Sequence, residues 1–284
     1  MRFGAPLFGE WKSPEGWVRL LRKKGFNAAY CPLGLETSVS EIREYRQAAK
    51  ENGIIISEVG AWGNNPLHPD KEVAEAGYRG LVRSLLFAEE IGAQCCVNVA
   101  GSRGEVWCGH HQLNLTRETF ERVVAYIQRL LGEVSPVNTS FCLEMSPWMF
   151  PTTAREALSL IEAVGLPGFA AHLDIVNITL SPRLYYENAD TTHDCFSRLG
   201  PLIRSIHAKD ITLEADFLVH LNEIRPGLGG FDYHALLKNV QEFSPDAPLM
   251  LEHLANEEEY DKAAEYVRSV AASMNISIPN PEGA

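Results

Sequence analysis

With 284 residues, the chain has room for one large domain and is short for two independent catalytic domains. Hydrophobic residues make up 45% and charged residues 22%, which excludes global disorder. The formal net charge of -12 argues against nucleic acid or an anionic membrane surface as a partner.

Short apolar runs alternate with amphipathic segments along the chain, the pattern of βα units. Residues 2–8 read as the first strand. The helix after it opens at Ser13, a good N-cap, and stops at Gly25. A second strand is predicted at 27–33, a helix ending at Gly53, and a third strand at 54–62. A long helix at about 70–91 leads to a fourth strand at 94–101. A polar, glycine-rich loop follows, with Trp107, His110 and His111. The helix at 116–134 is capped by Thr116, and strands are predicted at 139–146 and 169–178 around a fifth helix. The sixth helix is placed within 188–203, strand seven at 204–211, and a long loop runs to about Gly230. Helix seven, strand eight at 248–255 and a last helix complete the pattern, with the acidic run 256–263 placed where negative charge favours a helix N-terminus.

Eight strands and eight helices with no linker predict a single (β/α)8 barrel over residues 1–278, with 279–284 as a flexible tail. The rival, a doubly wound open sheet, lacks a GxGxxG turn after strand one, and the GLGG at 228–231 lacks the Lys-Ser/Thr pair of a P-loop. The six cysteines form no CxxC ladder, and Cys95, Cys96 and Cys142 sit in apolar runs as core thiols, so a reducing compartment is expected. The first residues lack a secretory apolar region, and no run approaches a membrane span, so a cytoplasmic location without membrane partners is predicted.

Four successive strands carry an ionisable residue among apolar neighbours near their C-terminal ends: Glu144, Asp174, His207 and Glu252. One buried acid can be explained by a structural ion pair. Four converging on one rim of a barrel need a shared counter-charge. Three carboxylates and an imidazole suit one divalent ion such as Mn2+, Mg2+, Co2+ or Zn2+.

Nearby residues admit two readings each. His172 shares the strand face of Asp174 and is either a substrate group or a packed histidine. Glu58 is a candidate substrate ligand. Asn177 can bind a ligand hydroxyl or cap a turn. Lys209 can touch substrate or neutralise Asp210, which in turn is a candidate hydrogen-bond partner of His207. Trp62, Trp107, Trp148 and Phe8 either stack on a ligand or pack beside the mouth. His110 and His111 read as surface residues, and His253 is expected to point away from Glu252's side.

The four-residue pattern resembles that of the xylose-isomerase-like barrel superfamily of sugar isomerases and epimerases, and most of all its ketose 3-epimerase branch. The resemblance spans nearly the whole chain. It implies Glu144, Asp174, His207 and Glu252 as metal ligands, Glu144 and Glu252 as the acid/base pair, and a cis-enediolate route. The stretch from Glu223 through Arg225 to Gly229 resembles the family's loop after strand seven, which implies Arg225 as a substrate contact. Asn177 stands where the ketose 3-epimerases carry a histidine, Phe150 where they carry a glutamate, and the spacing from His207 to Arg225 is longer than theirs. The function expected is metal-dependent isomerisation or epimerisation of a sugar, ketose or sugar phosphate. A keto-polyol dehydratase and a non-catalytic sugar-binding barrel are the alternatives. The resemblance further implies a homodimer or homotetramer.

Overall fold

The computed structural model describes residues 1–281, so the end of the expected tail, 282–284, lies outside the described residues. Strands β1 (Phe3–Gly4), β2 (Ala28–Tyr30), β3 (Ile55–Gly60), β4 (Cys95–Asn98), β5 (Ser140–Glu144), β6 (Phe169–Leu173) and β7 (Ile203–Ala208) alternate with helices α1 (Pro14–Lys24), α2 (Val39–Glu51), α3 (Lys71–Ile91), α4 (Arg117–Val134) and α5 (Ala154–Val164), then α6 (Pro182–Tyr186) and α7 (Asn188–Leu199). A hairpin of β8 (Asp210–Leu213) and β9 (Leu221–Ile224) follows, then α8 (Tyr233–Phe243), β10 (Leu249–Leu251) and α9 (Glu257–Ser273). Eight strands pair in parallel in the order β1-β10-β7-β6-β5-β4-β3-β2, giving the single (β/α)8 barrel that the alternation predicts.

Between β1 and β2 the barrel closes through a side chain. Asn27 N donates to Phe3 O at 3.2 Å, and Phe3 N donates to Asn27 Oδ1 at 2.8 Å. Asn27 Nδ2 also donates to Pro279 O at 2.7 Å, tying the segment after α9 to the same seam. Gly4 stands where a Cβ would meet Ala28 O at 2.2 Å, so any larger residue would force the seam apart.

The helix starts follow from local chemistry. Ser13, Ser38, Thr116, Thr153 and Asn256 each accept a backbone N–H from the first turn of their helix. Buried faces of the helices pack on the outside of the barrel in one continuous apolar core. Inside the barrel, Cys95, Val97, Cys142 and Ala170 form a separate small cluster. The register pairs Val97 with Cys142, Cys142 with Ala170, Glu144 with His172, and His172 with Ser205, so these residues share the inward face. Small groups fill the floor, and ionisable groups sit above them.

Each barrel strand is shorter than predicted, and three segments differ further. The sixth strand ends at Leu173, not at 178, because Asp174 Oδ1 accepts Asn177 N at 3.1 Å and the chain turns through a short 3-10 helix, Val176–Ile178. The weakly marked sixth helix is two helices, since Ser181 and Pro182 start α6 ahead of the predicted range. The long loop after β7 contains the β8–β9 hairpin, whose short strands carry too little alternation to stand out.

Candidate metal centre

Glu144 on β5, Asp174 just past β6, His207 on β7 and Glu252 just past β10 are brought together. One ligand atom each from Glu144, Asp174, His207 and Glu252 lies within 4.8 Å of all the others. His207 Nδ1 stands 2.8 Å from Glu144 Oε1, 2.8 Å from Glu252 Oε1 and 3.9 Å from Asp174 Oδ2. All four side chains are buried or nearly so. Ligands held about 2.0–2.3 Å from one ion lie at most about 4.6 Å apart, close to the spread seen here.

The hydrogen bonding also fits an ion. Asp174 Oδ2 and Glu252 Oε1 are buried oxygens with no well-angled hydrogen-bond donor. Lys209 Nζ is close to both, at 2.8 and 2.7 Å, yet these are ion-pair distances without hydrogen-bond geometry. Three carboxylates, one imidazole nitrogen and two oxygens lacking donors suit a divalent cation.

Beneath the cluster, Glu58 sets the orientation of His207. Its Oε1 accepts from His207 Nε2 at 3.1 Å, and its Oε2 meets His172 Nε2 at 3.1 Å and the Ser205 hydroxyl at 2.9 Å. With the Nε2 proton committed to Glu58, Nδ1 faces Glu144 and Glu252: its proton bonds these carboxylates, and its loss would free the lone pair for an ion. Glu58, His172 and His207 themselves form a second group with ligand-like spacing. The first group is the better ion site, because its glutamates line an open cavity and the oxygens of Glu58 already have donors.

Electrostatics follow the geometry. Burial alone would raise Glu58 and Glu252, but His207 and its partners outweigh it and hold both below the usual carboxylate range. Burial opposes a charge on His207, yet Glu58 and Glu252 hold its pKa well above the ordinary histidine value. Asp174 goes the other way, raised to about 6 by burial, with Lys209 opposing the rise and Glu144 and Glu252 adding to it. The contrast between Asp174 and Glu252 follows from position: Glu252 sits 2.8 Å from the imidazole and Asp174 3.9 Å. Burial lowers Lys209, but Asp174 and Glu252 more than reverse this.

The other predicted residues separate into those at the cavity and those away from it. Asn177 lines the cavity, donates to Met145 O at 3.1 Å and accepts from Lys209 at 3.1 Å. Glu58 and His172, at 2% and 1% exposure, lie below the ring of ligands. Arg225 pairs with Glu259 at 2.9 Å and does not line the cavity; nor does it pair with Glu223. Asp210 is not the partner of His207. Its carboxylate accepts the backbone N–H groups of Ile211, Gly227, Gly229 and Phe231 and so folds the segment after the hairpin. Trp62, Trp107 and Trp148 all line the cavity, while Phe8 packs against Tyr260.

Two cavity residues escape sequence reasoning. His253 adopts φ of 57°, which turns it back to the mouth instead of outward, where its Nδ1 meets Glu223 Oε2 at 3.0 Å. Glu223 arrives on β9 and also reaches Lys209 at 3.2 Å. The Gly-free stretch at 251–254 gives no cue to a left-handed turn, and the hairpin itself was not predicted.

A family model described as xylose isomerase-like TIM barrel matches residues 18–270, and the chain belongs to that family. No curated protein matches it by sequence. Among solved structures, it resembles D-psicose 3-epimerase with D-tagatose from Clostridium cellulolyticum H10, with a TM-score of 0.67, 15% identity, and coverage of 98% of this chain and 100% of that one. A xylose isomerase-like TIM barrel protein from Mycobacterium smegmatis in complex with magnesium matches with a TM-score of 0.66, 17% identity, and coverage of 96% and 97%. The probable 3-DHS dehydratase AsbF from Bacillus anthracis matches with a TM-score of 0.69, 17% identity, and coverage of 95% and 99%. Among the described residues, no helix is long and apolar enough to cross a membrane.

Proposed function

We propose that this chain is a divalent-metal-dependent isomerase or epimerase of a keto sugar, with Glu144 and Glu252 as its acid/base pair. The observation that carries the reading is their placement: two carboxylates from β5 and the end of β10, each 2.8 Å from His207 Nδ1, both lining one cavity. The family's epimerase members agree with it. Glu144, Asp174, His207 and Glu252 would hold a divalent cation, which would supply positive charge to stabilise the negative charge that develops on the sugar.

The chain's own residues do the remaining work. One glutamate takes the proton from the carbon next to the carbonyl, and the electron pair moves onto the carbonyl oxygen, giving an enediolate. The other glutamate, protonated, returns a proton. Return to the opposite face of the same carbon gives an epimer; return to the former carbonyl carbon, with the hydroxyl proton passing to the other oxygen, gives an isomer. Glu58, His172 and Ser205 hold His207 in one tautomer. Lys209 offsets the charge of Asp174 and Glu252. Asn177 has one amide hydrogen and one lone pair left over for a sugar hydroxyl.

The test is proton bookkeeping in deuterium oxide. Glu144→Gln and Glu252→Gln should each lose more than about 100-fold in turnover, the scale of a proton-transfer group. Wild-type product should carry solvent deuterium at the reacting carbon. Loss of water with no epimer would identify a dehydratase instead. Near-normal turnover of both glutamine variants would end the acid/base assignment.

A further inference from the structure

Two cavities flank the ligand cluster. The first, about 630 Å3, holds Glu144 and Asn177 under a wall of Trp62, Trp107 and Trp148. The second, about 460 Å3, opens on the other side of Glu252 and is walled by Trp11, Tyr30 and Tyr260. They share Trp62, Glu252 and His253, and Trp62 and His253 are 42% and 58% exposed, so a ligand can cross over their edges. The first cavity alone falls mid-range for sites that enclose drug-sized ligands, roughly 300–1,000 Å3.

The charge of the two lobes is one-sided. Among the described residues, no lysine or arginine lines either of them. Glu144, Glu223 and Glu252 do, and the one exposed base there, His253, is already paired with Glu223 at 3.0 Å. Lys209 is 3% exposed and committed to Asp174 and Glu252. Arg225 is paired with Glu259 outside both lobes. A phosphate would bring two negative charges next to these acids and find no cation to replace its water. Aromatic side chains, by contrast, offer flat apolar faces with polar edges, which suit the apolar faces of sugar rings.

Resting on the keto-sugar reading above, we infer that the substrate is an uncharged glycosyl-ketose of disaccharide size, whose ketose unit keeps a free carbonyl. The ketose unit lies over Glu144 and Glu252 in the first lobe, and the glycosyl ring lies against Trp11 and Tyr260 in the second lobe.

Calorimetric titration of the full chain with Mg2+ present tests this with named probes: D-fructose, D-fructose 6-phosphate and the keto-disaccharides lactulose and isomaltulose. At least one disaccharide should bind 10-fold or more tighter than D-fructose, and the phosphate ester no tighter than D-fructose. Trp11→Ala should lower the disaccharide-to-fructose affinity ratio at least 5-fold. Leu7→Trp, which fills the second lobe without removing packing, should lower the same ratio if the first variant is poorly folded. Equal affinities for one-ring and two-ring sugars, preference for the phosphate ester, or binding of none of the four would overturn the inference. Because the readout is binding, it is separable from the reaction: a disaccharide preference without deuterium exchange would sink the isomerase reading and keep the substrate class. Deuterium exchange on D-fructose with no disaccharide preference would do the reverse.

Discussion

Replacing Glu58 by glutamine removes one buried charge and keeps the side chain's volume. In the native site its two oxygens face three groups: His207 Nε2 at 3.1 Å, His172 Nε2 at 3.1 Å and Ser205 Oγ at 2.9 Å. A carboxamide has one acceptor oxygen and one donor nitrogen, so at least one of these contacts must reverse. Keeping the bond from His207 puts the amide nitrogen in place of Oε2, so Ser205 must turn its hydroxyl, for which Ser57 Oγ lies 2.9 Å away, and His172 must move its proton to Nδ1. The bond to His207 then survives as a neutral one, at about half its charge-assisted strength. A loss of about 1.4–2.7 kcal/mol in metal binding follows, or about 10- to 100-fold, the usual cost of altering a residue that orients a ligating histidine. Titration of Mn2+ into wild type and Glu58→Gln at pH 7 measures it directly. Affinities within about 2-fold of each other would refute the idea that Glu58 prepares His207 Nδ1 for an ion.

Adding Mn2+ or Mg2+ at about 100 times its dissociation constant should stabilise the fold by about 2.7 kcal/mol, a rise in melting temperature of about 5 °C for a chain of this size, reversed by a chelator. An unchanged melting curve on chelation would count against a site in the folded barrel. Glu89 accepts the backbone N–H groups of Val137, Asn138 and Thr139 ahead of β5, and these outweigh the opposing effect of burial to hold its pKa below the usual value. Its contribution is therefore present above the unfolded glutamate value, about 4.3, and is lost as pH falls through the folded one. Glu89→Gln should cost about 1–2 kcal/mol in urea at pH 7 and progressively less as pH falls below about 4.3; a pH-independent difference would contradict this. Asn27→Ala should cost about 3 kcal/mol, because it leaves Phe3 N and Pro279 O without partners at the β1–β2 seam. A loss under about 1 kcal/mol, read from the urea midpoint, would mean that water or a small shift replaces those bonds.

Much of this architecture is legible in the residues because two patterns run through them. Alternating apolar runs and amphipathic helices mark the βα units. Within the later strands, a lone acid or histidine among apolar neighbours near the C-terminal end marks the barrel mouth. Glu144, Asp174, His207 and Glu252 were visible for that reason. The partner of His207 was not: Asp210 lies three residues away, whereas Glu58 is 149 residues distant and reaches His207 only once the barrel closes. His253 and Glu223 were hidden because their placement depends on a left-handed turn and on a hairpin. Local sequence specifies neither strongly. Arg225, suggested by its loop, stands paired with Glu259.

The cysteines supply the molecule with its own labels. Cys95, Cys96, Cys142 and Cys195 are buried, so a thiol reagent reaches them only when the barrel opens. Their alkylation, followed by mass spectrometry, times global unfolding under native conditions. Cys108 lines the first lobe and Cys31 the second, both half-buried, with burial pushing the Cys31 thiol up to about 11 and slowing its reaction at neutral pH. A ligand in either lobe should shield the thiol that borders it. Footprinting the two sites side by side thus maps occupancy lobe by lobe, with no introduced dye or tag.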